Sequence, residues 1–148
     1  MSTARTSAAA GGSPSDVPFE ILQLDHVVLR SADPARLEDF YTRILGCPVE
    51  LRQEKIGLTQ LRAGRALIDI LAIGSGTAGS PGSARGNMDH LCLRIEPFDS
   101  AVIQAHLRQH GVAFGEIAPR FGADGRGPSI YIEDPDGNRV ELKGPPVA

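Results

Sequence analysis

Four residues able to bind a metal ion occupy corresponding places in the two halves of this 148-residue chain. His26 and His90 each begin an apolar segment, and Asp69 and Glu141 each interrupt a later one. A carboxylate in the middle of an apolar strand is unfavourable unless a partner compensates its charge. Two imidazoles and two carboxylates suit a divalent metal of intermediate hardness, and they leave two octahedral positions open for paired substrate oxygens. These residue types therefore predict a metal site.

The two acidic residues also have an interpretation in which no metal takes part. A strand carboxylate commonly belongs to an ion pair, and basic residues occur on the same predicted strands or beside them. The candidates for such ion pairs are Arg30, Arg94, Arg139 and Lys143. The repetition of a histidine and a carboxylate in both halves favours the metal interpretation.

The correspondence between the halves comes from an internal repeat with an offset of 64 residues. Segment 24–30 recurs as segment 88–94, and Asp, His, Leu and Arg coincide between the copies. Each copy is followed by a helical pattern that ends in glycine and then by strand-like segments. The sequence therefore predicts an α+β fold of tandem βαβββ modules, with two curved mixed sheets round a shared concave cavity.

The helices carry start and stop signals at both ends. Asp33 is placed to cap the first helix, Pro34 suits its first position, and Gly46 suits a left-handed stop. Asp99 and Gly111 play the corresponding parts in the second half. The strand-like segments that follow the two helices are 48–54, 57–63, 66–73, 115–120, 129–133 and 138–143.

Alternation along the strands separates a helix-facing side from a polar side. Val27 and Leu29 are predicted to lie beneath the first helix, which turns His26, Val28 and Arg30 to the opposite, inward face. The second half follows the same rule. Its inward side chains are predicted to be His90, Cys92, Arg94, Tyr131 and Glu141.

The chain divides into five segments by composition. We expect a disordered tail at 1–20, modules at 21–73 and 88–144, a Gly- and Ser-rich linker at 74–87, and a short tail at 145–148. The first segment has no apolar region typical of a secretory signal, which favours a cytoplasmic protein. A net charge of −3 without a basic stripe argues against nucleic-acid binding, and Asp69 interrupts the longest apolar run, which argues against membrane insertion. Cys47 and Cys92 are too few for a disulfide framework and are interpreted as buried thiols.

The most specific motifs resemble those of the vicinal oxygen chelate superfamily, which comprises glyoxalase I, bleomycin-resistance proteins and extradiol dioxygenases. They are segment 24–26, the helix end at 39–46, and segment 133–142 with its Asp-Pro-Asp-Gly turn. The resemblance implies one divalent ion (Ni, Zn, Mn, Fe or Co) bound by His26, Asp69, His90 and Glu141. Bacterial glyoxalase I carries Glu where this chain has Asp69.

The resemblance further implies a glyoxalase I-type lyase or isomerase that acts on a small thiol adduct. Glu141 is the expected catalytic base, and Asp69 is the symmetric alternative. Substrate contacts are expected from Arg30, Arg94, Arg120 and Tyr131. The same scaffold also supports an extradiol dioxygenase, a fosfomycin-type thiol transferase, or a metal-free drug- or metabolite-binding protein. A homodimer is expected, with the metal site either within one chain or between two.

Two further patterns are interpreted without chemistry. His106 and His110 lie one helical turn apart, and we interpret them as cationic groups at the favourable end of a helix dipole. The Gly-rich stretch 122–127 neither follows a strand nor opens a helix, so it does not match a phosphate-binding loop. We predict a mobile loop over the mouth of the cavity.

Overall fold

The structure is a computed structural model that describes residue 18 and residues 21–74 and 88–147. Apart from residue 18, the predicted N-terminal tail lies outside the described residues, as does the linker beyond Gly74. The first module contains β1 (His26–Ser31), α1 (Pro34–Asp39), a π-helical turn (Phe40–Ile44), β2 (Val49–Gln53), a 3-10 turn (Glu54–Ile56), β3 (Leu58–Ala63) and β4 (Ala66–Ala72). The second contains β5 (Leu91–Arg94), α2 (Ser100–Gln109), β6 (Ala118–Arg120), β7 (Gly127–Glu133) and β8 (Arg139–Lys143).

The two modules share one topology. The first sheet has the strand order β1-β4-β3-β2 and the second has the order β5-β8-β7-β6. In each sheet the first strand runs parallel to the last, and the remaining pairs are antiparallel. The predicted α+β class and the repeated βαβββ pattern are therefore confirmed, with two mixed four-stranded sheets.

The helix boundaries follow the predicted capping residues. The Asp33 side chain accepts a hydrogen bond from the backbone N–H of Arg36, and Asp99 accepts one from Val102. Gly46 and Gly111 have φ angles of 76° and 67°, in the left-handed region that favours glycine. The final turn of the first helix is π-helical, which a 3.6-residue spacing does not predict.

Two strand boundaries in the second module differ from the prediction. The strand predicted at 115–120 is paired only from Ala118 to Arg120, and it contains Pro119, which has no N–H to donate to a ladder. Upstream of it, the backbone is joined to β7 by a bridge between Phe114 and Ile132 and by a hydrogen bond from Gly115 to Tyr131. Strand β7 begins two residues earlier than predicted, because Gly127 pairs with Arg120.

One face of each sheet forms the core, as strand alternation predicted. Leu29 is buried and Val28 is exposed on β1, and Ile68 and Ile70 are buried on β4. The helices cover these faces with fully buried side chains, among them Leu37, Tyr41 and Leu107. The opposite face of each sheet carries the predicted ligands. None of the described helices is long and apolar enough to cross a membrane.

Hydrogen bonds from the helical side of each module join the two modules. The Tyr41 hydroxyl donates to Asp134 Oδ2 over 2.7 Å, and both groups are buried. His106 Nε2 donates to the Ile44 carbonyl oxygen over 2.8 Å, and Arg43 Nη1 lies 3.0 Å from His110 Nδ1. The two histidines lie at the C-terminal end of α2, as predicted, and their ring nitrogens also contact residues of the first module.

Asp134 connects this interface to the hairpin that carries Glu141. Its Oδ1 accepts hydrogen bonds from the backbone N–H groups of Asp136 and Asn138, each 2.9 Å long. These bonds shape the Asp-Pro-Asp-Gly turn between β7 and β8. Burial, and next the Asp134 charge, raise the pKa of the Tyr41 phenol. The phenol therefore stays protonated and remains a donor to Asp134.

Replacing Tyr41 with Phe is expected to lower the free energy of unfolding by about 1–3 kcal/mol, because the hydrogen bond to a buried carboxylate is lost. Urea unfolding followed by circular dichroism measures the change. The matched control is Tyr131→Phe, since no hydrogen bond involves that hydroxyl in the described structure, and its change should stay within about 0.5 kcal/mol. Equal stabilities of the two variants would contradict the proposed contribution of the Tyr41 bond.

Candidate functional site

The first module places Asp69 on the polar face of its sheet. Asp69 lies opposite Val28 on β1 and Gln60 on β3, and only 3% of it is exposed. Gln60 Nε2 donates to Oδ2 over 3.0 Å, whereas Oδ1 has no hydrogen-bond partner. A buried carboxylate oxygen without a partner is unfavourable, so Oδ1 is available to accept a hydrogen bond or to coordinate a metal ion.

His26 lies near Asp69 on the neighbouring strand β1. Its Nδ1 is 2.6 Å from Asp25 Oδ1, and about half of the side chain is exposed. The pKa of His26 is held above its usual value, chiefly by the hydrogen bond to Asp25. The negative charge of Asp69 also raises it. A carboxylate on one ring nitrogen fixes the orientation of the imidazole and leaves the other nitrogen for a ligand.

The second module repeats this arrangement. His90 Nδ1 lies 2.6 Å from Asp89 Oδ2, and His90 Nε2 lies 3.2 Å from Glu141 Oε2. Glu141 is 4% exposed, and its Oε1 has no hydrogen-bond partner. Each module therefore presents a carboxylate-held histidine beside a buried acid with one free oxygen.

Asp25 and Asp89 are functional candidates that the sequence reasoning missed. Both were visible as part of the repeat, since an aspartate precedes the histidine in each copy. Each aspartate is hydrogen-bonded to Nδ1 of the histidine that follows it, which orients the imidazole ring. Gln60 was also missed, because nothing in its local pattern identifies it as the partner of Asp69.

The donor atoms of the four predicted ligands are of the types that bind a divalent metal ion. Two free buried carboxylate oxygens and two oriented imidazoles form a nitrogen and oxygen donor set suited to such an ion. Within one chain, however, they remain two separate pairs. Among the described residues, no three His, Cys, Asp or Glu side chains lie close enough together to hold a metal ion. We refer to His26 with Asp69 as the first half-site and to His90 with Glu141 as the second half-site.

A stack of aromatic and guanidinium groups flanks the second half-site. The guanidinium carbons of Arg120 and Arg139 lie 4.4 Å and 4.1 Å from the centroid of the Tyr131 ring. The His90 ring packs edge-on against the same ring, with 5.4 Å between the two centroids. Strand β7 places Tyr131 directly opposite Glu141. Its position on the predicted inward face is therefore as expected.

The predicted substrate-binding arginines have different surroundings. Arg94 is paired with Glu96 over 2.6 Å and with Asp124 over 3.3 Å. Arg120 Nη1 donates to the carbonyl oxygen and the hydroxyl of Ser129, each over 2.8 Å. Arg30 is exposed on strand β1.

The two cysteines do not share one environment. Cys47 is buried as predicted, and burial raises the pKa of its thiol. Cys92 is exposed, so its interpretation as a buried thiol was wrong. It lies opposite Glu141 on the polar face, where partial burial, and next the Glu141 charge, raise its pKa to about 11.

The fold consists of two βαβββ modules, each with a histidine beside a buried acid on the polar face of its sheet. The chain belongs to the Glyoxalase/Bleomycin resistance protein/Dioxygenase superfamily, whose sequence profile matches residues 23–142. This match covers both modules, including all four predicted ligands. The predicted superfamily is confirmed.

Similar proteins agree with this assignment. The glyoxalase domain-containing protein RDO1 of Mycosarcoma maydis is 34% identical over 126 residues, which are 84% of this chain and 69% of that protein. The integron cassette protein VCH_CASS1 from the mobile metagenome of V. cholerae is 26% identical, with a TM-score of 0.71 over 85% of this chain and 97% of that one. Lactoylglutathione lyase from Agrobacterium tumefaciens shares the fold, with 19% identity and a TM-score of 0.62. The match covers 84% of this chain and 95% of that one.

Proposed function

We propose that this protein is a divalent-metal-dependent enzyme that binds a small substrate through two adjacent oxygens and moves a proton between neighbouring carbons. The observation that carries the proposal is the pair of buried carboxylates, Asp69 and Glu141, each with one free oxygen. His26 and His90 would complete the donor set. The reaction class is that of a glyoxalase I-type isomerase.

The alternative of simple ion pairing has little support around these two acids. In the described structure, the only basic group within 4.0 Å of Glu141 is His90, and no arginine or lysine lies within that distance of Asp69. Arg94 and Arg139 have other carboxylates near them. The acids therefore remain without a cationic partner strong enough to compensate their burial.

A second copy of the chain is proposed to complete the metal site. One chain supplies His26 and Asp69, and the other supplies His90 and Glu141. Exposed apolar side chains support this arrangement, because Val28 and Leu51, 48% and 46% exposed, lie on the same face as Asp69. Apolar groups beside a half-formed polar site are typical of a surface that another chain covers.

Glu141 is the better placed of the two candidate bases. Gln60 holds one oxygen of Asp69, whereas Glu141 has a longer side chain whose described contacts are to His90 and Cys92. In the proposed reaction Glu141 takes the proton from the carbon next to a carbonyl and returns it to the adjacent carbon. The metal, when bound, stabilises the negative charge on the substrate oxygens. The substrate would be the adduct of an α-ketoaldehyde and a thiol, and the product a hydroxyacyl thioester.

The first test is metal uptake. Protein stripped with chelator and then reconstituted separately with nickel, zinc, manganese, iron and cobalt is expected to retain about one ion per chain for at least one of them. Elemental analysis measures the content, and isomerisation of the adduct of methylglyoxal with glutathione measures activity. His26→Ala should lose the ion, whereas His110→Asn, which alters a histidine outside the half-sites, should keep it. Retention below about one-tenth of an ion per chain for every metal would refute the proposal.

A further inference from the structure

Lys143 is a buried cation without a carboxylate partner. It is 4% exposed and lies two residues beyond Glu141 on β8, on the same face of the sheet. Its Nζ donates over 3.3 Å to the carbonyl oxygen of Gly127. Among the residues that the structure describes, no carboxylate lies within 4.0 Å of that nitrogen, although lysines are almost never buried without a pair.

Arg120 adds a second uncompensated positive charge beside Lys143. Ser129 lies opposite Lys143 in the pairing of β7 with β8. Arg120 Nη1 donates hydrogen bonds to the carbonyl oxygen and the hydroxyl of Ser129. No carboxylate lies within 4.0 Å of the Arg120 guanidinium in the described part of the chain. The pattern differs from that of Arg52, Arg62 and Arg94, each of which has an acidic partner.

The loop between β6 and β7 holds Lys143 in place. Gly122 lies so close to the aliphatic part of this side chain that a Cβ there would overlap its Cδ and Cε atoms. Long lysine side chains usually extend their charged end into water. Here the loop instead packs against the aliphatic carbons of Lys143, on the face of the sheet that carries Glu141.

We propose that Lys143 and Arg120 bind an oxyanion, a carboxylate or a phosphate, carried by the substrate. This rests on the proposed function, because it places the anion beside the proton-transferring Glu141. Two residues along a strand span about 6.6–6.8 Å. The substrate class is therefore a small anionic compound whose charged group binds further along β8 than its reacting carbon. Tyr131 lies opposite Glu141, and its ring contacts the Arg120 guanidinium, so it links the two parts of the proposed site.

The test measures binding of inorganic phosphate and of succinate, as separate probes, by isothermal titration calorimetry. Lys143→Met is expected to weaken binding of the preferred probe by about tenfold or more, because a charge-assisted contact is lost. Lys143→Arg keeps the positive charge and should bind the probe more tightly than Lys143→Met does. The matched control is Lys55→Met, which removes the same charge from an exposed position. Unchanged binding by Lys143→Met, or an equal loss in Lys55→Met, would overturn the proposal.

Thermal stability separates a binding role from a structural one. Without a probe, Lys143→Met is expected to melt at the same temperature as the unaltered protein or higher, because a buried unpaired charge is removed. A lower melting temperature together with unchanged probe binding would make Lys143 a structural residue and refute the subsite. Gly122→Ala keeps the charge but displaces the side chain, so it should weaken probe binding with little change in melting temperature.

Metal content distinguishes failure of this proposal from failure of the proposed function. Each variant is titrated in metal-free and metal-loaded form, and its metal content is measured beside the unaltered protein. Phosphate or succinate binding that depends on Lys143 in a protein retaining no metal would uphold the subsite and refute the metal-dependent reaction. Normal metal content without Lys143-dependent binding would refute the subsite alone.

Discussion

Two inactive variants, His26→Ala and His90→Ala, are expected to recover about one quarter of the unaltered activity when they are co-expressed. If the metal site forms between two copies, each variant alone lacks one imidazole in both of its sites. Random pairing makes about half of the dimers mixed, and each mixed dimer has one complete site and one lacking both histidines. Metal content per chain should recover to the same fraction, which gives a readout independent of turnover.

The control for this experiment combines two variants of the same half-site. Co-expressed His26→Ala and Asp69→Asn leave no mixed dimer with a complete site, so neither metal content nor activity should recover. Differently tagged chains, purified through both tags, establish that mixed dimers are present. Mixed His26→Ala and His90→Ala dimers that bind no more metal than either parent would exclude a site formed between copies.

Glu141→Gln is expected to lower kcat by about 10²–10⁴-fold, because glutamine has nearly the same shape but cannot accept the proton. The assay is isomerisation of the methylglyoxal–glutathione adduct with the metal that the unaltered protein retains. Glu133→Gln is the matched control, since Glu133 is exposed at the end of β7 and outside both half-sites. Its kcat should stay within about twofold of the unaltered value.

Metal content separates the two parts that Glu141 is proposed to play. Elemental analysis of Glu141→Gln shows how much of the loss comes from a missing ligand, and kcat per bound ion reports the loss of the base. A Glu141→Gln protein with unaltered kcat per bound ion would refute the base assignment. If Asp69→Asn then lost the activity with its metal retained, the proton transfer would belong to Asp69.

The local structure of this chain followed from its sequence. Side-chain alternation placed Val28 and Asp69 on one face and Leu29 on the other, and Asp33 and Gly46 marked the ends of a helical segment. Such features depend on a few neighbouring residues, so spacing and residue type determine them. The internal repeat also indicated which residues are equivalent, and the family profile spans both copies.

The arrangement of the two modules was decided only in the tertiary structure. Strand alternation specifies the face on which His26 or Glu141 lies, but it carries no information about the distance between the faces of two sheets. That distance depends on packing between distant residues, such as the bond from Tyr41 to Asp134, which are 93 positions apart. The same holds for Lys143, whose side chain packs against Gly122 in a loop that the sequence predicts to be mobile. The sequence by itself thus determined the repeated module and the two candidate ligands in each copy. Their separation into two half-sites came from long-range contacts that no local pattern encodes.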